Sequence, residues 1–187
     1  MNARTMVLWI TMAVALGSGC GKKKDDGAGS GTAAAPGAGG GAAVQAAAPA
    51  LAFLPVEKIG VRLELPGDAK PEETVPDSYM ISRADGSCTV MLSKVDPEMA
   101  MSYDFTLKEA QGSSMGDKFK AFSKNEKAEN GGWAMEWTYT SGMDNGDMWG
   151  VSYRAVLPNG MFDCSRNTRS AEDAACIAHA CASLKQL

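Results

Sequence analysis

A break in composition at residue 50 limits where this chain can build a core. Gly21 to Ala50 is dominated by Gly, Ala, Ser and Pro, as in the run Gly-Ala-Gly-Ser-Gly-Thr-Ala-Ala-Ala-Pro-Gly-Ala-Gly-Gly-Gly. Such residues carry little side chain to bury, so burial cannot offset the entropy of ordering them. The segment is expected to be a disordered tether with an r.m.s. reach of about 30 Å. Any folded domain must come from residues 51–187, a length typical of one globular domain.

The residues before the tether read as an export address. Arg4 and the amino terminus form a short positive region, and Met6 to Leu16 is an apolar run. A bilayer-spanning helix needs about 20 apolar residues, so the run fits a signal-peptide core better than a membrane span. Gly17-Ser18-Gly19 then leads into Cys20. This arrangement resembles the lipobox of bacterial lipoproteins, with Gly17 standing where a large aliphatic residue is usual. The resemblance implies a signal peptide over residues 1–19, acylation of Cys20 with palmitate-type chains, and a lipidated linker over 20–50. Two acyl chains anchor stably where one does not. Cleavage after Gly17 or Gly19 by an ordinary signal peptidase, or retention as an uncleaved anchor, are the alternatives. Gly21 rather than Asp follows the cysteine, which favours the outer over the inner membrane for a domain on the periplasmic side.

From residue 51 onward the pattern changes. Val61, Leu63 and Leu65 alternate with Arg62 and Glu64, predicting a half-buried strand that Pro66-Gly67 stops. Tyr79–Ser82 and Cys88–Ser93 flank Asp85-Gly86 as a hairpin. Asp96-Pro97-Glu98 suggests a helix start, with Tyr103, Leu107 and Ala110 on one face and Gly112 ending it. Phe119–Lys127 and Trp133–Thr140 should pair across Asn130-Gly131. Trp149, Val151, Tyr153, Ala155 and Leu157 then form a strand after Asp144-Asn145-Gly146, and Pro158-Asn159-Gly160 turns into Met161–Arg166. Ser170-x-x-Asp173 opens a last helix with Ala174, Ile177, Cys181 and Leu184 on one face. The order β-β-β-α-β-β-β-β-α predicts an α+β fold, a mainly antiparallel sheet with two helices packed on it. Over residues 55–187 it resembles the small α/β sandwich of the PsbP-type family. It is also similar to short lipoproteins of uncharacterised function from myxobacteria and relatives, which share a Gly-rich tether and a closing Cys-bearing helix.

Export sets the redox context of the remaining cysteines, Cys88, Cys164, Cys176 and Cys181. Four cysteines allow three pairings. Cys164–Cys181 is favoured, because Cys181 faces the sheet and Cys164 lies in the strand leading into the last helix; this leaves Cys88–Cys176. A Cys176–Cys181 bond is disfavoured, since five helical residues put them on diverging faces. The alternative is a Cys₃His zinc site of Cys164, Cys176, His179 and Cys181. Asp144-Asn145-Gly146-Asp147 lacks the spacing of a calcium loop and reads as a turn. Trp133, Trp137 and Tyr139, with Trp149 and Tyr153, are a core or a ligand platform.

Net charge is −4 and the isoelectric point near 5.1, which argues against nucleic acid as a partner. His179 is the only histidine, and no nucleophile elbow or phosphate-cradling loop accompanies it. The expectation is a non-enzymatic, cofactor-free envelope protein, tethered by lipid, that binds another envelope protein or a cell-wall component. A small-ligand-binding lipoprotein with an aromatic cleft is second, and a metal-dependent or hydrolytic enzyme third.

Overall fold

The computed structural model describes residues 50–112 and 116–187. The expected signal peptide, Cys20 and nearly all of the linker lie outside them. No helix among the described residues is long and apolar enough to cross a membrane.

Every strand pair is antiparallel. A seven-stranded sheet runs β3 (Lys70–Val75), β4 (Ser78–Ser82), β5 (Val90–Val95), β9 (Gly160–Thr168), β8 (Asp147–Leu157), β7 (Trp133–Thr140) and β6 (Lys118–Lys127). A smaller sheet joins β1 (Leu51–Val56), β2 (Val61–Pro66) and β10 (Lys185–Gln186). Helix α2 (Ala171–Ala182) and the small sheet share one core with a single face of the large sheet. Val61, Leu63 and Leu65 of β2, Ile81, Val90, Leu92 and Phe162 of the large sheet, and Ile177 of α2 are all essentially inaccessible there. Helix α1 (Tyr103–Gln111) packs against β6.

Among the described residues the fold is sheet-dominated, with two helices and ten strands, so the expected order β-β-β-α-β-β-β-β-α is corrected to one with three more strands. The missed strands have no periodic burial to betray them. Every residue of β3 is exposed, and it pairs with β4 alone. Strand β1 contains Pro55, which an edge position tolerates because no neighbour needs its missing N–H. Strand β10 has two residues. The start of α1 also moves. Asp96-Pro97-Glu98 forms a turn instead, with Asp96 Oδ1 accepting from Glu98 N at 3.0 Å. The helix begins after Ser102, whose Oγ accepts from Phe105 N at 3.1 Å.

Ser170 caps α2 by accepting from Asp173 N at 3.1 Å. Only half of a capping box forms, because the Asp173 carboxylate turns outward to accept from Cys88 N at 3.1 Å. Cys88 sits in the β4–β5 loop at φ +48° rather than in a strand. The Asp173 bond fixes that loop against α2, where Cys88 meets Cys176 with Cα atoms 5.6 Å apart. The second disulfide joins Cys164 of β9 to Cys181, with a Cα separation of 5.5 Å.

Candidate functional site

With all four sulfurs engaged in pairs, a Cys₃His zinc site has no thiolates to use. His179 instead lies 2.9 Å from Glu64 Oε2, between α2 and β2. Among the described residues no cluster of His, Cys, Asp and Glu is arranged to hold a metal. Asp144 and Asp147 do not converge on a common ion. Asp144 bonds Arg169 and the Gly146 amide, and Asp147 takes Lys120 at 2.5 Å. The Arg169 bond holds the Asp144 carboxyl below its ordinary range. The segment is the β7–β8 turn, with Asn145 in the left-handed region at φ +56°.

Register separates the two aromatic stripes. Trp133 stands opposite Arg154, Met135 opposite Ser152 and Trp137 opposite Gly150. Directly opposed residues point to the same face, so Trp133, Met135 and Trp137 share a face with Gly150, Ser152 and Arg154. Trp149, Val151 and Tyr153 therefore point the other way, toward α2. A combined platform of both stripes is thus corrected: the β8 stripe belongs to the core, and the β7 stripe lines the opposite, α1-bearing face. On the core side Tyr153 hydrogen-bonds Glu136, and burial with that bond pushes its phenol well above the usual range.

On the α1 face the centre of the sheet carries small and polar side chains. Ser165 opposes Ser152, Asn167 opposes Gly150, and Met91 opposes Ser165 on the next strand. Helix α1 lies above this low floor and leaves a cleft of about 700 Å³. Its walls include Phe105 of α1, Phe119 of β6, and Trp133, Trp137 and Tyr139 of β7. Phe119 and Phe122 share this face through the register shift between Phe119 and Ala121. It places Phe119 opposite Tyr139 and Phe122 opposite Trp137 on one face, although a regular strand would split residues three apart. The two rings lie 4.8 Å apart. Burial raises the Tyr139 phenol pKa, so that hydroxyl stays neutral through the physiological range.

Arg154, which sequence reasoning passed over, is the polar anchor of this face. Its side chain is 4% exposed and holds Asp163 with Nε and Nη2, each at 2.6 Å. The guanidinium stacks 3.8 Å from the Trp133 ring centroid, and Nη1 donates to the Met101 carbonyl at 2.6 Å. That last bond secures the segment entering α1. Tyr103 completes the attachment, meeting Trp133 edge-on at 6.2 Å and donating to Asn125 Oδ1 at 2.7 Å.

Gly150 is a sequence signal that could have pointed to this geometry, since a glycine inside a strand marks a close approach. The Trp137 indole lies directly over it, and a Cβ at position 150 would overlap the ring. Gly150→Ala should destabilise the domain by about 1–3 kcal/mol through overpacking and displace Trp137. Urea unfolding with near-ultraviolet circular dichroism reads both effects, and an unchanged midpoint and spectrum would refute the close contact.

A seven-stranded antiparallel sheet with a helix and a small sheet on one face and a helix on the other defines a PsbP-like α+β fold. Among solved structures it resembles that of cyanobacterial PsbP (CyanoP) from Synechocystis sp. PCC 6803, at a TM-score of 0.51 and 13% sequence identity. The match covers 81% of this chain and 98% of that one. At this identity the likeness defines the fold alone. The chain matches no protein-family model and no curated protein sequence.

Proposed function

We propose that this chain is a non-enzymatic bacterial envelope lipoprotein, anchored through Cys20 on the periplasmic side, that binds a small ligand in the cleft beneath α1. The outer membrane is the favoured location. The anchor rests on the apolar run, the lipobox-like Gly17-Ser18-Gly19-Cys20 and the tether that follows. Ligand binding rests on one observation, the aromatic-walled cleft of about 700 Å³, which falls within the usual size of small-molecule sites. That cleft moves ligand binding ahead of the partner-binding reading the sequence favoured.

Two measurements test the two halves. Mass spectrometry of the mature protein should find an acylated amino-terminal Cys20, and an unmodified terminus would remove the anchor. Nile red, a neutral fluorescent probe, should bind the full-length protein in detergent above the micelle background. Ser152→Phe, which fills the floor, should weaken this by about tenfold while the circular dichroism stays native. Equal binding by the variant would count against the cleft.

A second reading, docking of another envelope protein, is favoured by Met99, Met101 and Phe105. They are 83%, 60% and 49% exposed and lie in and just before α1. Met99→Gln, outside the cleft lining, should weaken a specific envelope crosslink under that reading and leave Nile red binding largely intact.

A further inference from the structure

The cleft's chemistry narrows its ligand. We infer, resting on the cleft reading above, that its occupant is a neutral saccharide unit, held with a ring face against the β7 aromatics and its hydroxyls toward the sheet floor. Charge excludes an anion first. The acidic lining residues are Glu109, Asp117 and Asp163, and the basic one is Arg166. A carboxylate or phosphate would meet a net negative surround. An organic cation is disfavoured because the inner carboxylate is already used. Asp163 is clamped by Arg154, while Asp117 accepts from Gly142 N at 2.8 Å and Glu109 is an exposed residue of α1. An alkyl chain fits poorly over a floor of Ser152, Ser165 and Asn167.

What remains suits a polyol. Serine hydroxyls and an asparagine amide both donate and accept, as sugar hydroxyls do. Ser152 and Ser165 are direct cross-strand neighbours and Asn167 follows two residues along β9, giving a polar row rather than a single contact. Trp137 and Tyr139 stand beside that row, and their electron-rich faces suit the polarised C–H groups of a sugar ring. Trp133, 6% exposed on the same wall, has an indole N–H without an acceptor among the described residues.

The test uses the full-length protein in detergent and reads tryptophan fluorescence and calorimetry. The probes are N,N′-diacetylchitobiose as the neutral disaccharide, its sulfated analogue, and benzyltrimethylammonium as an aromatic cation. The disaccharide should bind with a Kd of about 1 mM or tighter, and the other two at least about tenfold more weakly. Asn167→Leu and Trp137→Leu should each weaken the disaccharide by about tenfold. Trp149→Phe, on the opposite face of the sheet, should not, and serves as the folding control. Retention on chitin beads as well as binding of the free disaccharide would assign the source as a polymeric glycan; free binding alone would assign a soluble sugar. Tighter binding of the cation or the sulfated sugar overturns the saccharide assignment but leaves the cleft reading standing. If none of the three binds while Nile red still depends on Ser152, the saccharide assignment fails alone. If Nile red also ignores Ser152→Phe, both readings fail.

Discussion

Opening the Cys88–Cys176 bond should cost the domain about 4.5 kcal/mol, because it closes an 88-residue separation and the chain-entropy cost grows with the logarithm of loop length. The 17-residue Cys164–Cys181 link contributes about 3 kcal/mol in the same model. Accessibility sets the order of loss. Cys176 is half-buried, whereas Cys164 and Cys181 are 1% and 3% exposed. A mild reductant without denaturant should therefore release Cys88 and Cys176 first. The β4–β5 loop should stay near α2 through the Asp173 bond to the Cys88 amide, so the loss would show in global stability more than in shape. Alkylation followed by mass spectrometry identifies the freed thiols, and urea unfolding of Cys88→Ala/Cys176→Ala measures the cost. Earlier labelling of Cys164 and Cys181 would contradict this order.

The second large effect centres on Arg154. Arg154→Met should destabilise the domain by about 3 kcal/mol, lowering Tm by about 10 °C for a chain of this size. The variant strips Asp163 of both its short bonds and leaves the Met101 carbonyl without its donor. Asp163 is 33% exposed and recovers water in part, which keeps the loss below that of a fully buried ion pair. Asp163→Asn in the same chain should recover part of it, because the unpaired charge is gone. Helix α1 should also loosen, and hydrogen exchange along residues 103–111 reads this directly. Protection of α1 unchanged from the wild type would show that the Met101 bond does not hold the helix.

Legibility followed burial. Strands with an alternating buried face announced themselves: β2 buries Val61, Leu63 and Leu65, and β7 and β8 carry their aromatics at period two. Turns with special residues were equally plain, as at Gly131 and Asn145, both of which adopt positive φ. Strand β3 was invisible because neither face of Lys70–Val75 is buried, so no selection for alternation acts on it. Helix α1 was found, but its start was misplaced. Asp96-Pro97 resembles a helix entry locally, while the real start depends on Ser102 and on Arg154 holding the Met101 carbonyl from a strand more than 50 residues away.

The candidate site was legible only in its parts. The aromatic stripe of Trp133, Trp137 and Tyr139 is plain in sequence, yet whether it faces the same side as Trp149 and Tyr153 depends on register, and a shift of one residue reverses the answer. The pairing of Trp137 with Gly150 decided it, and the β6 register sets Phe119 opposite Tyr139 on the same wall.

The sequence by itself determined the division between a segment with nothing to bury and a domain that must fold. It also determined most of that domain's strands, its two helices and the limit of three pairings among four cysteines, because composition and periodicity are properties of neighbouring residues. Tertiary structure decided which face each stripe occupies, which cysteines meet, and that small side chains on β8 and β9 lie beneath a helix to leave a cleft. Those depend on contacts between residues far apart in the chain, and no local pattern records them.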